Sequence, residues 1–274
     1  IDVQGWGYAP YASLPVSNNA QEVLANVDGL TIKVDSTLTT DIDNAEVITH
    51  RLGDLVSIVP QGTDIALAEG TYVFENGLDI CNPVNITGAG EGTVLQMGET
   101  ALSGQAYAYI SANNVSVSNL TFEGTAAGYD LLKVSYRGSV AGTAIDTISL
   151  SEITFTGVAD TYLNIHGATN VTVSGCTIGT QSSDEVEIPF SVASSQKVVV
   201  SDTSITAGAW GSAGVMYANN DNYWLVTDVT FENCTIASTV YTERGADTIK
   251  GITVGDEWVT FRTATTAASH TSKK

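Results

Sequence analysis

Apolar residues alternate with polar ones along most of the chain, and the alternation recurs in five segments that align without a gap. They are NNVSVSNLTFEG from Asn113, DTISLSEITFTG from Asp146, TNVTVSGCTIGT from Thr169, QKVVVSDTSITA from Gln196 and NYWLVTDVTFEN from Asn222. The shared form is apolar-x-apolar-Ser/Thr-x-x-Ser/Thr-apolar. A period of two means strands, because successive side chains of a strand point to opposite faces. Taking the second apolar position as the mark gives Val117, Leu150, Val173, Val200 and Val226, spaced by 33, 23, 27 and 26 residues. Repeats of this length read as single coils of a stacked solenoid.

Within one coil the inward positions are Val115 and Val117, then Leu120 and Phe122 after a bend at Ser118 and Asn119. Stacking puts like on like. Val117, Leu150, Val173, Val200 and Val226 form one core ladder, and Phe122, Phe155, Ile178, Ile205 and Phe231 form a second. Cys176 falls in line with Leu120 and Ile153, so it reads as a small buried hydrophobe. Weaker copies around Leu67, Ile86 and Val254 extend the series, which predicts an all-β solenoid of about eight coils.

The segment DLVSIVPQGTDIALAEGTYVFENGLDICNPVNITGAGEGTVLQMG resembles the opening coils of the right-handed parallel β-helix, or pectin-lyase-like, superfamily. In character the chain is similar to noncatalytic surface, adhesin-like or sheath-like members. The resemblance implies a parallel β-helix over residues 55–262. Residues 1–54 lack the repeat and read as an N-terminal cap or assembly segment, in which AQEVLANV has helical spacing and GLTIKVDSTL alternates. Residues 263–274 read as a flexible C-terminal tail.

Composition narrows the partners. Only 15% of residues are charged and 43% are hydrophobic, which suits a folded chain. Ten Lys and Arg against thirty Asp and Glu give a formal charge of −20, which would repel a phosphate backbone, so nucleic acid is a poor partner. The acidic surface invites Ca²⁺, a possible but unassigned ion. No apolar run is long enough to span a membrane, and no basic stretch leads into an apolar run at Ile1. Cys81, Cys176 and Cys234 are far apart and allow at most one internal disulfide, with Cys81 and Cys234 a pair only if the fold joins them. Five N-x-Ser/Thr sequons, at Asn85, Asn114, Asn119, Asn170 and Asn233, are compatible with a secreted chain.

The resemblance also implies where chemistry would lie, since enzymes of the superfamily carry acidic or basic residues on the outer face of one strand layer. Polygalacturonases show Asn-Thr-Asp, Asp-Asp, Gly-His-Gly and Arg-Ile-Lys in that order. This chain has no Asp-Asp pair; its nearest histidine is His166 in NIHGAT, Arg244 and Lys250 are too widely spaced, and NNDN at 219–222 follows the histidine. No two carboxylates are nominated for glycoside hydrolysis. Lys133, Arg137, Lys197 and Arg244, the candidate bases of a lyase, are scattered over different coils. Asp184, Glu185 and Glu187 read as a solvated acidic loop, and His166 as a surface or turn residue.

Three classes of function stay open. The first is an extracellular structural or adhesive cell-surface protein that assembles with copies of itself or holds cell-surface polysaccharide. Its assembly segment would be IDVQGWGYAPYASLPV, carrying Trp6, Tyr8 and Tyr11, and an uncapped C-terminal coil after Phe261 would offer a template for another chain. The second is a polysaccharide lyase or glycoside hydrolase. The third is a noncatalytic carbohydrate-binding module, for which Trp210, Tyr217, Tyr223, Trp224 and Trp258 are further stacking candidates. With no catalytic constellation nominated, the sequence leans to the first.

Overall fold

The computed structural model describes residues 52–53, 55–57, 59–102, 104–136, 144–179, 186–209, 211–216 and 226–242, and the backbone of further strands at 23–26, 29–34, 217, 243, 249–250, 253–254, 259–263 and 266–272. The N-terminal strands β1 (Val23–Asn26) and β2 (Gly29–Val34) are antiparallel, and β2 then pairs in parallel with the first solenoid strand. Val23–Asn26 lies within the stretch expected to be helical. As a strand it lines the sheet edge and satisfies backbone groups that a helix would leave open there. Short helical pieces lie instead at residues 52–53 and 55–57, on either side of the expected boundary of the cap. Their Leu52, Leu55 and Val56, with the following Val59, are buried in the same core as the solenoid interior.

The solenoid has about six turns, fewer than the eight expected. They comprise β3 (Thr63–Leu67), β4 (Gly70–Phe74) and β5 (Leu78–Ile80); β6 (Val84–Gly88), β7 (Thr93–Met97) and β8 (Ala106–Ile110); β9 (Val115–Thr125) and β10 (Asp130–Val134); β11 (Ile145–Val158) and β12 (Thr161–His166); β13 (Ala168–Ser174), β14 (Thr177–Ile178) and β15 (Phe190–Ala193); β16 (Gln196–Ser201), β17 (Ser204–Ile205) and β18 (Ser212–Tyr217). Strands β19 (Val226–Glu232), β20 (Thr235–Ile236), β21 (Thr239–Glu243), β22 (Ile249–Lys250), β23 (Thr253–Val254) and β24 (Val259–Thr263) carry both sheets onward. The last strand, β25 (Thr266–Ser272), runs antiparallel to β24. The C-terminal edge of that sheet, expected to be open, is therefore covered by the segment expected to be a free tail. Of the weak copies, Leu67 and Ile86 lie in the first two turns, and Val254 lies in β23, which pairs in parallel with β19.

Two parallel sheets result. Sheet A holds β9, β11, β13, β16 and their partners, and sheet B holds β8, β10, β12, β15, β18 and theirs. In sheet A, Ile65, Ile86, Val117, Leu150, Val173 and Val200 stand in one register column and are all buried. The first-turn mark is thus Ile65, whereas Leu67 pairs with Gly88. The next member after Val200 is Phe231, not Val226. Likewise Phe122, Phe155, Ile178 and Ile205 continue into Ile236, not Phe231. Val226 and Phe231 are both buried, but each sits five register positions earlier in its coil than the gapless alignment placed it.

The corners explain why the columns hold. Asn114, Thr147, Asn170, Lys197 and Asp228 share one register position and all have φ between 53° and 61°. Five residues on, Asn119, Glu152, Gly175, Asp202 and Asn233 share a second, with φ between 50° and 62°. Each is a left-handed residue that bends the strand, and Asn and Asp tolerate that region best among residues with a Cβ. Side chains stitch the corners: Asn119 Nδ2 donates to Gly88 O at 3.0 Å, and Asn170 Nδ2 to Asp146 Oδ1 at 2.6 Å.

Candidate functional site

The two sheets treat their outer faces differently. Strands of sheet A alternate buried with partly exposed positions, as β6 and β16 do. In sheet B, β8 and β15 are buried at every residue, and β10 and β12 at all but one end residue. One face of sheet B packs on the core through Ala108, Leu132, Leu163 and Phe190. By alternation the other face carries Tyr109, Lys133, Asn164 and Ser191 in one column across four turns. The segments between the sheets cover this face: Tyr107 packs edge-on against Tyr129 with ring centres 5.5 Å apart, and its hydroxyl donates to Ala127 O at 3.0 Å.

A polar cluster lies inside that cover. Lys133 and Asn164 are each 7% exposed. Lys133 Nζ donates to Gln105 Oε1 at 3.2 Å and lies 3.6 Å from Asp130 Oδ2. Asn164 Nδ2 donates to the same Asp130 oxygen at 2.7 Å. Burial raises the Asp130 carboxyl above the usual carboxylate range, although the Lys133 charge and hydrogen bonds from Asn164, Thr161 and Lys133 pull it down. Asn164 Oδ1 is buried and accepts no hydrogen bond. A buried polar atom left unpaired costs about 1–3 kcal/mol, which marks this spot as one where stability has been given up. The cluster combines one carboxyl, one amine and one carboxamide, not the two carboxylates of glycoside hydrolysis.

The residues singled out from sequence are mostly not gathered here. Of the scattered basic residues Lys133 belongs to the cluster and Lys197 sits on an exposed corner, whereas Arg137 and Arg244 lie outside the described residues. His166 ends β12, half-buried, opposite Ala193. Glu187 is exposed, whereas Asp184, Glu185, Trp6, Tyr8, Tyr11, Trp210, Tyr223, Trp224 and Trp258 lie outside the described residues, and Tyr217 is described only in its backbone. Among the described residues no three His, Cys, Asp or Glu side chains group to hold a metal ion, and no helix is long and apolar enough to cross a membrane.

None of the three cysteines is joined in a disulfide. Cys81 is exposed on the first turns, and Cys176 and Cys234 are buried one on each side of Thr203 in the same column. What the sequence reading missed is the pairing of YDLLKV with TYLNIH, which sets Lys133 against Asn164. The visible signal was a second apolar alternation after each Ser/Thr-rich repeat.

No protein-family model and no curated protein matches the chain. Among solved structures it is similar to a protein from Parabacteroides merdae ATCC 43184 provisionally assigned as a glycosyl hydrolase, with 13% sequence identity and a TM-score of 0.32 over 84% of this chain and 97% of that one. By its own strand register the chain is a parallel β-solenoid.

Proposed function

We propose that the protein is an extracellular structural or adhesive component of a cell surface, offering a rigid β-helix to copies of itself or to cell-surface polysaccharide. The observation that carries this reading is the lateral surface of sheet A, which repeats from turn to turn. Thr87, Ser118, Ser151, Ser174 and Ser201 form one outward column of hydroxyls, and Ser116, Ser149 and Thr172 form another beside it. Neighbouring parallel strands are about 4.8 Å apart, so this is a regular hydroxyl grid suited to an extended partner rather than to one small molecule.

Negative-stain electron microscopy of the purified chain with and without Ca²⁺ tests the reading. Ordered filaments, hoops or sheets support it, and dispersed monomers in both conditions overturn the self-assembling form and direct the search to polysaccharides. Deleting residues 1–16, which removes Trp6, Tyr8 and Tyr11, is expected to leave a folded monomer that no longer associates, as read by light scattering. Unchanged oligomers would remove that segment from the account.

A further inference from the structure

One carboxyl oxygen, Asp130 Oδ2, touches both an amine and a carboxamide: Lys133 Nζ at 3.6 Å and Asn164 Nδ2 at 2.7 Å. Lys133 and Asn164 are direct register partners on adjacent parallel strands. Strands so paired are about 4.8 Å apart, and the shared Asp130 oxygen brings the amine and the carboxamide to the same point. Access of water is narrow, because Lys133 and Asn164 are 7% exposed, the column neighbours Tyr109 and Ser191 are 2% and 5% exposed, and the Asp130 side chain is 13% exposed. The orphaned Asn164 Oδ1 shows that the three side chains are not a closed hydrogen-bonded network.

We propose that Lys133 and Asn164 join in an intramolecular isopeptide bond, with Asp130 as the catalytic proton carrier. Nζ passes a proton to the Asp130 carboxylate and attacks Cγ of Asn164. The Nζ–Cγ bond forms, the Cγ–Nδ2 bond breaks, and both protons shed by Nζ leave on the departing nitrogen as ammonium. No oxidant or co-reactant is consumed, and Asp130 ends as it began. Burial holds the Asp130 carboxyl above its ordinary range, which suits a group that must take and return a proton. Gln105 also meets Lys133, but it presents its oxygen to the amine, and the carboxyl is bonded to the nitrogen of Asn164. The product is a covalent rung between β10 and β12, and it adds to the proposed surface role without depending on it.

Intact mass spectrometry of the folded full chain is expected to read about 17 Da below the sequence mass, the loss of one ammonia. Tandem spectra of a digest should show the Lys133 peptide joined to the Asn164 peptide. Lys133→Ala and Asn164→Ala should restore the sequence mass, as should Asp130→Asn, which keeps the shape of the side chain but cannot exchange the proton. Far-UV circular dichroism checks that these variants still fold; if they do not, the wild-type spectra decide alone. A folded wild-type chain at the full sequence mass with separate peptides, or a Lys133–Gln105 linkage, would overturn the proposal. So would an Asp130→Asn chain that is crosslinked to the same extent.

Discussion

The ring of Phe122 stacks on that of Phe155 one turn away, with centres 5.6 Å apart and planes within 8° of parallel. Both side chains are wholly buried and are register partners. Phe155→Ala empties the column between Phe122 and Ile178 and is expected to cost about 3–5 kcal/mol, read by urea unfolding. A double-mutant cycle with Phe122→Ala should give a coupling of about 0.5–1.5 kcal/mol. Strict additivity would show that the rings do not share energy.

Thr147 is the β-branched member of a left-handed corner column, at φ 61°, and its side chain is exposed. Left-handed backbone costs a residue with a Cβ about 1–2 kcal/mol, and asparagine, present at Asn114 and Asn170 in the same column, bears it best. Thr147→Asn should therefore raise stability by about 0.5–1 kcal/mol, seen as a higher urea midpoint. A lower midpoint would mean that Thr147 is not held in that conformation.

Gly157 has φ +82°, and a Cβ there would lie 2.1 Å from the backbone oxygen of Gly124 in the turn above. Nothing flexible can yield, so Gly157→Ala should cost about 3 kcal/mol or more. Gly175 has φ +62°, yet its Cβ would meet nothing closer than 3.6 Å. Gly175→Ala bears conformational strain alone and should cost about 1 kcal/mol. Equal losses at the two sites would contradict the close approach of these turns.

Burial pushes the Cys176 thiol from 9.0 up to about 11. Below pH 9.0 folded and unfolded chains both keep the proton, and the contribution of the thiol to stability is fully present. Between 9.0 and about 11 the unfolded chain ionises first, so that contribution is lost as the pH rises. Wild-type stability should fall more steeply over this window than that of Cys176→Val. A thiol reagent at neutral pH should label exposed Cys81 in the native chain and spare Cys176 and Cys234.

The columns from Val117 to Val200 were legible because those repeats align without insertions and their second corners carry Asn119, Glu152, Gly175 and Asp202 at matching places. The register slipped at the last repeat because WLVTDVTFEN satisfies the apolar-x-apolar pattern twice, at Trp224–Val226 and at Val229–Phe231. The decisive clue is shared by GCTIGT and NCTIAS, which set Cys176 and Cys234 in one column and thereby pair Val200 with Phe231. Sheet B went unread because its short strands are buried on both faces, so the outward positions that mark a strand, Lys133 in DLLKV and Ser191 in FSVA among them, differ in chemistry from turn to turn. The Asp130, Lys133 and Asn164 cluster was hidden with it, because its members meet across turns rather than along the chain.

Every conclusion rests on the stacking of turns, and pulsed electron resonance between nitroxide labels at Ser116 and Thr230 tests it most directly. These outward positions belong to one column through Ser149, Thr172 and Val199, although they are far apart in sequence. With strands about 4.8 Å apart, four steps place the two backbones about 19 Å apart, and a narrow distance distribution near that value is predicted. A broad distribution, or a narrow one centred beyond about 35 Å, would contradict the solenoid register.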